Sequence, residues 1–186
     1  VAIEELHSRN TRATVRDAVK LCRNPEPMLR ESAALVLGQL NFSDNDTGRE
    51  INKKVVDLLC ELMISDPKAM VRAAAACALG HRALRGGDQA AILKALERGT
   101  HDRSSAVRYY TAFASGGINV SGAETVLERL LRDKHKEVRD WAAAVVFMQE
   151  GESHILYDTR EIRDALLELT RDPEEEVRYE AFRSLG

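Results

Sequence analysis

Asp66-Pro67-Lys68-Ala69-Met70-Val71-Arg72 is the stretch that decides the fold, because versions of it recur four more times along the chain. The other copies begin at Asn24, Asp102, Asp133 and Asp172. Self-similarity at a period of about 20 to 50 residues is typical of repeat proteins. The shared ends of the five copies, Arg30, Arg72, Arg108, Arg139 and Arg178, are separated by 42, 36, 31 and 39 residues. The shortest interval indicates the size of the repeat unit, and the longer ones require only loop insertions.

Each copy carries the signals of a helix start. Asp or Asn is a good N-cap, and a proline directly after it suits the first helical position. In the second copy, Val71 is followed by apolar residues at 74, 75, 78 and 79, which form one face of a helix. Four of these second helices are predicted to end at a glycine, namely Gly38, Gly80, Gly116 and Gly186. The fourth copy has Phe147 there, so its helix is predicted to run on to about Gln149.

A further amphipathic segment precedes each copy, which predicts a first helix at 12–22, 51–64, 89–97, 123–131 and 160–170. Polar, glycine-containing segments at 41–49, 84–88 and 149–158 are predicted to be loops, and strict apolar–polar alternation is absent, so no strands are expected. Neither helix of a pair can bury its apolar stripe alone, so adjacent pairs must stack. The predicted fold is all-α, a right-handed α-α superhelix of about five two-helix repeats.

The termini suggest that the repeats continue. Residues 1–7 resemble the end of a preceding second helix, and neither terminus looks like the polar capping repeat that a free solenoid needs. We therefore expect residues 1–186 to form a single solenoid that is a fragment of a longer array.

Composition and charge argue against some classes of function. The chain is 44% hydrophobic and 31% charged, and its net charge of −3 argues against a dedicated nucleic-acid binder. The isolated cysteines Cys22, Cys60 and Cys77 show no CxxC spacing, which indicates a reducing cytoplasm. No apolar stretch is long enough to span a bilayer. The sequence predicts a cytoplasmic protein without a membrane segment.

The recurring arginine is predicted to form a structural ladder. Its planar fork can pair with an aspartate and bond turn carbonyls at the same time. The aspartates that begin the copies, Asp66, Asp102, Asp133 and Asp172, are the expected partners. The alternative is a row of phosphate or carboxylate binders, but an arginine that belongs to the repeat consensus favours the structural role.

The two positions after each arginine predict a binding face. They hold alanine in one repeat, Glu31 in another and aromatic residues in others, so at least one of the two columns is expected to be partly exposed. Tyr, Trp and Arg dominate binding hot spots in protein interfaces. The predicted protein-binding residues are Tyr109, Tyr110, Asp140, Trp141, Tyr179 and Glu31. The alternative is that Tyr110 and Trp141 simply fill space between repeats.

Catalytic and metal chemistry find no support in the sequence. The five histidines are scattered, and His81, His101 and His135 each lie near a predicted turn, where a solvated histidine is ordinary. The sequence has no Gly-rich phosphate loop and no nucleophile elbow. We predict no catalytic residues, no metal ligands and no cofactor.

The pattern Asp-Pro-x-x-x-Val-Arg-x-x-Ala-Ala-x-Ala-Leu-Gly at 66–80 resembles HEAT-like repeats of the phycobilin-lyase type, and the resemblance covers essentially the whole chain. Segments 35–40, 108–114 and 137–143 also resemble the YibA-type HEAT proteins encoded beside bacterial Rhs toxin elements. The first resemblance implies that the second helices line a concave surface. The second implies a cytoplasmic immunity protein that binds a toxin domain.

These observations predict a non-catalytic scaffold whose partner is another protein. Two alternatives stay open. One is a bilin lyase or isomerase subunit, which the repeat type permits and which would need a chromophore pocket. The other is a DNA-binding protein resembling the HEAT-like alkylpurine glycosylases, in which Arg72, Arg108, Arg139 and Arg178 contact phosphates; the net charge of −3 disfavours it.

Overall fold

The computed structural model describes residues 12–42, 45–148 and 158–186, and all regular secondary structure within them is α-helical. The predicted helix end at 1–7 and most of the predicted loop at 149–158 lie outside these residues. The helices of the described residues are α1 (Arg12–Leu21), α2 (Pro27–Gln39), α3 (Asp46–Ser65), α4 (Ala69–Ala83), α5 (Gln89–Gly99), α6 (Ser105–Ser115), α7 (Ala123–Leu131), α8 (Lys136–Met148), α9 (Arg160–Leu169) and α10 (Glu175–Leu185).

The helices form five consecutive pairs that stack in two rows. In the row of second helices, α2 packs on α4, α4 on α6, α6 on α8 and α8 on α10. In the row of first helices, α3, α5, α7 and α9 pack on one another in the same order, while α1 packs on α2. Pairs that are neighbours in sequence are therefore neighbours in space, which confirms the predicted α-solenoid.

The core lies between the two rows. Val71, Val107, Val138 and Val177 occupy the same place in successive repeats, and each is at most 1% exposed. The predicted apolar stripe that follows Val71 is buried along its whole length. Equivalent residues thus have equivalent environments, as a repeating core requires.

The aspartates of the repeats begin a turn instead of capping a helix, so the predicted cap was wrong. Helix α4 begins at Ala69 with Lys68 at its N-cap, and Pro67 therefore precedes the helix. Asp66 Oδ1 accepts the backbone N–H of Lys68 at 2.9 Å, which forms an Asx turn leading into the helix. The same bond links Asp102 to Ser104, Asp133 to His135 and Asp172 to Glu174.

Two of the predicted helix-ending glycines lie inside helices, where they allow close packing. Helix α2 continues past Gly38, and helix α4 continues past Gly80. A Cβ added to Gly38 would lie 2.7 Å from Ala78 Cα, and one added to Gly80 would lie 2.9 Å from Ala114 Cα. The second helices of adjacent repeats therefore approach more closely than a side chain at either position would allow. Gly116 and Gly186 do follow the ends of their helices, as predicted.

Helix α3 starts earlier than predicted, at Asp46. The side chain of Asn45 accepts the backbone N–H of Gly48 at 2.8 Å and so caps the helix. The predicted loop at 41–49 is correspondingly shorter.

A buried cation, Arg82, ties the first two repeats together. Its Nη2 donates to the carbonyl of Leu40 at 2.6 Å and its Nη1 to Asn52 Oδ1 at 3.3 Å. Asn52 in turn donates to the carbonyl of Gly86 at 3.0 Å. Burial, together with the positive charge of Arg85, lowers the pKa of Arg82 to about 10. These bonds join the end of α2 to the turn that follows α4.

Candidate protein-binding face

The arginine ladder joins each repeat to the next. Arg72 donates through Nε and Nη2 to the carboxylate of Asp102 at 2.7 and 2.9 Å, and through Nη1 to the carbonyl of Asp66 at 2.9 Å. A two-pronged bond of this kind fixes geometry as well as contributing energy. The same forks join Arg30 to Asp66, Arg108 to Asp133 and Arg139 to Asp172. Each of these aspartates therefore accepts hydrogen bonds both from the backbone of its own turn and from the arginine of the preceding repeat.

The electrostatics of the ladder favour its ionised state. Burial raises the pKa of each ladder aspartate, but hydrogen bonds from the arginine and from its own turn, together with neighbouring positive charge, outweigh burial and lower the pKa overall. The hydrogen bond to aspartate raises the pKa of the partner arginine.

Three of the four arginines considered as phosphate contacts are occupied by this ladder. Arg72, Arg108 and Arg139 are each held by a carboxylate of the next repeat. Arg178 differs, because its side chain donates only to the carbonyls of Asp172 and Pro173 among the described residues. This geometry favours the structural role of the ladder over phosphate binding.

Aromatic rings of two second helices meet on one face. The ring centroid of Tyr109 lies 5.2 Å from that of Tyr110 and 5.6 Å from that of Trp141. Phe113 lies 6.4 Å from Tyr110 and 6.2 Å from Trp141. All four side chains are half-buried, so each packs on the protein and keeps a surface open to a partner. We call these four residues, Tyr109, Tyr110, Phe113 and Trp141, the aromatic cluster.

The structure brings together part of the predicted face. Tyr109, Tyr110 and Trp141 touch, and Asp140 directly precedes Trp141 on α8. Tyr179 is 63% exposed and makes no ring contact within the described residues. Glu31 is half-buried on α2, with α4 packed between α2 and α6.

Two members of this region were missed from the sequence. Phe113 follows Tyr109 by four residues and Tyr110 by three, a spacing that places all three side chains on one helical face and could have identified it. His81, interpreted as a solvated turn residue, is a half-buried residue of α4 whose ring lies 5.5 Å from that of Phe113. Burial lowers the pKa of His81, and the charges of Arg85 and Arg82 lower it further.

Two buried polar atoms, one on α8 and one on α10, have no hydrogen-bond partner among the described residues. The indole Nε1 of Trp141 is buried, and no described residue accepts its hydrogen bond. Glu180 accepts a bond from Arg183 at 3.0 Å through Oε1, while its Oε2 is buried without a donor among the described residues. Burial raises the pKa of Asp140, and the carboxylates of Glu180 and Glu176 raise it further.

Metal sites and reactive thiols find little support in the part of the chain that the structure describes. The described residues contain no group of three or more His, Cys, Asp or Glu residues that could hold a metal ion. Burial raises the pKa of the Cys22 and Cys60 thiols to about 12, which leaves them unreactive at neutral pH. No helix in this part of the chain is long and apolar enough to cross a membrane.

Comparison with known proteins agrees with this architecture. The HEAT repeat family matches residues 1–80. The chain is 30% identical over 182 residues to protein YibA of Escherichia coli K12 and of Escherichia coli O157:H7, a match that covers 97% of this chain. The chain spans 61% of the length of these curated relatives.

Solved structures extend the comparison. The crystal structure of Escherichia coli YibA matches with a TM-score of 0.80 at 29% identity, over 96% of this chain and 61% of that one. A designed armadillo repeat protein in complex with peptide (KR)4 matches with a TM-score of 0.61 at 20% identity, over 99% of this chain and 90% of that one, which is a likeness of fold alone. The recurring phrase, the stacked helix pairs and these matches together identify the chain as a HEAT-like repeat protein similar to YibA.

Proposed function

We propose that the chain is a non-catalytic scaffold that binds another protein through the aromatic cluster. The observation that carries this proposal is the set of four aromatic rings that meet on α6 and α8 while each stays half-buried, so that part of every side chain is open to a partner. An exposed aromatic surface of this kind is typical of protein interaction sites.

The surroundings of the cluster suit binding. Tyrosine and tryptophan offer a large contact area at a small loss of side-chain entropy. The ladder fixes α6 and α8, which carry these residues, relative to each other, because Arg108 forms two hydrogen bonds with Asp133 in the turn before α8. A face that is rigid before binding loses little further entropy when a partner docks.

The similar structures support binding of a protein segment in general. The designed armadillo repeat protein, which shares the fold of this chain, forms a complex with a peptide. The narrower proposal is that the partner is a toxin domain and that the chain acts in the cytoplasm as its immunity protein. It rests on the similarity to YibA-type proteins encoded beside Rhs toxin elements, and it is separate from the general proposal.

Both levels of the proposal can be tested with a purified Rhs-type toxin domain. We expect such a domain to bind the chain in calorimetry, and the Tyr109→Ala, Trp141→Ala double variant to weaken binding at least about tenfold. The control is Leu167→Ala with Met28→Ala, which removes two apolar side chains that are 54% and 64% exposed on α9 and α2. Thermal melts of both variants check that they fold.

The outcomes separate the two levels of the proposal. Binding that survives in the Tyr109→Ala, Trp141→Ala variant would show that the partner docks elsewhere. A toxin domain that does not bind the unaltered chain would remove the immunity role.

A further inference from the structure

The charged residues around the aromatic cluster are predominantly acidic. Asp140 directly precedes Trp141 on α8, Glu180 lies on the neighbouring helix α10, and both are half-buried; Glu137 and Glu176 are exposed on the same two helices. The negative charges of the three glutamates raise the pKa of Asp140, and the charge of Lys136 opposes them.

Two cations of this region are engaged by carboxylates, and a third, Arg178, bonds the carbonyls of Asp172 and Pro173. Arg183 donates to Glu180 Oε1 at 3.0 Å, and its guanidinium lies 3.9 Å from the ring centroid of Phe147. Lys136 donates to Glu174 at 3.2 Å. Asp140, in contrast, forms no hydrogen bond or ion pair with the described residues, and Glu180 Oε2 is buried without a donor among them. The face therefore has an excess of negative charge that its own side chains do not neutralise.

We propose that this face binds a basic segment of the partner protein, with an arginine or lysine side chain paired with Asp140 close to Trp141, and with Glu180 contributing negative charge. This inference rests on the proposed function, because it names the chemistry of the partner for the same surface. A cation next to carboxylates and an aromatic ring gains from both, through charge-assisted hydrogen bonds and through attraction to the ring face. Arginine fits best, since its planar fork can bond a carboxylate while its flat side stacks on a ring.

Charge complementarity selects this occupant over the other classes. A phosphate or an acidic segment would meet like charge at Asp140 and Glu180. A metal ion would need a compact set of ligands, and the described residues hold no group of three suitable side chains. A purely apolar segment would cover Asp140 and leave its charge buried without a partner, which is strongly unfavourable.

Trp141 provides a direct readout, because it is the single tryptophan of the chain. The probe is a synthetic peptide of four Lys-Arg repeats, which itself has no tryptophan. We expect a saturable change in Trp141 fluorescence that weakens steeply with added salt. A peptide of four Glu-Ser repeats should leave the fluorescence unchanged.

Two double variants that lose the same negative charge test whether the peptide binds at the proposed site. Asp140→Asn with Glu180→Gln should weaken binding of the Lys-Arg peptide at least about tenfold, as loss of hot-spot contacts does. Asp57→Asn with Glu97→Gln removes two exposed carboxylates from the first helices α3 and α5, so binding should stay close to that of the unaltered chain. Equal weakening in both variants would mean that only the overall charge matters, and it would overturn the proposal.

The affinities of the two double variants for the toxin domain distinguish failure of this inference from failure of the proposed function. If the toxin domain binds the Asp140→Asn, Glu180→Gln variant at full strength but loses affinity for the Tyr109→Ala, Trp141→Ala variant, the cluster binds its partner without a basic contact. That result would overturn the basic segment and leave the scaffold in place. Loss of affinity in both variants would support both the scaffold function and the basic contact.

Discussion

Arg72 and Asp102 lie 30 residues apart in the sequence, yet the guanidinium of one and the carboxylate of the other form two hydrogen bonds, of 2.7 and 2.9 Å. The bond spans the junction between the second and third repeats. Both side chains are mostly buried, with 17% and 13% of their surfaces exposed, so solvent screens the pair only weakly. The ladder therefore acts at the joints of the solenoid, where neighbouring helix pairs meet.

Breaking one joint should destabilise the array. Arg72→Met leaves Asp102 with a poorly compensated charge, and we expect the free energy of unfolding in a urea titration to fall by about 3 kcal/mol. Arg132→Met is the control, because Arg132 pairs with Glu168 where the two side chains are 39% and 62% exposed. An exposed pair contributes less than about 1 kcal/mol. Similar losses in the two variants would contradict the role given to the ladder.

The ladder also predicts a dependence on acid. The pKa of each ladder aspartate is lower in the folded protein than in the unfolded chain, where it is about 3.9. The stabilisation is therefore complete above that pH and is lost as the pH falls through the folded pKa. We expect Asp102→Asn to melt below the unaltered chain at pH 7, and the two melting temperatures to approach each other only as the pH falls below about 4 and through the folded pKa. A difference that disappears well above pH 4 would contradict a lowered aspartate pKa.

Close packing of the second helices predicts the effect of a single methyl group. Gly80→Ala improves helix propensity by about 1 kcal/mol, but its Cβ would lie 2.9 Å from Ala114 Cα and 3.2 Å from the ring of Phe113. We expect a net destabilisation of about 1–3 kcal/mol in thermal or urea unfolding.

Gly116→Ala is the matched control for this substitution. The nearest atom to its added Cβ is the carbonyl oxygen of Phe113 at 3.3 Å, and no atom of another helix lies closer than 3.6 Å. Its change in stability should be much smaller. If Gly80→Ala proved as stable as Gly116→Ala, the helices would not need the close contact.

Asp140 should respond to its acidic neighbour. Burial is the largest cause of its raised pKa, and the charge of Glu180 comes next. Glu180→Gln removes that negative charge, so the pKa of Asp140 should fall, and an NMR titration of its side-chain carboxyl group measures the change. Lys136→Met removes an opposing positive charge and should raise the pKa further. An unchanged pKa of Asp140 in both variants would show that these charges do not act on it.

The repeats and most helix bounds could be predicted because they depend on local periodicity. The predicted first helix at 123–131 coincides with α7, and the one at 160–170 exceeds α9 by one residue. The start of α3 was placed too late because its first turn is polar and continues no apolar stripe; the cap at Asn45 determines where it begins.

The contacts between repeats were harder to predict. The arginines and aspartates of the ladder were recognisable from the consensus, but the sequence does not say that Arg72 reaches forward to Asp102 while bonding only the carbonyl of Asp66. Likewise, a glycine near a helix end looks the same in the sequence whether it ends the helix or allows a neighbouring helix to pack closely. Gly80 does the second because Ala114 of the next repeat lies against it.

The ladder also gives the solenoid a direction. The turns at Asp66, Asp102 and Asp133 each receive a guanidinium from the unit before, and the arginine six residues after each aspartate bonds the unit that follows. A unit inserted backwards would set like charges face to face. Duplication, deletion and exchange of whole units between related genes would, in contrast, preserve every joint, so evolution can vary the length of such an array while the manner of connection stays the same.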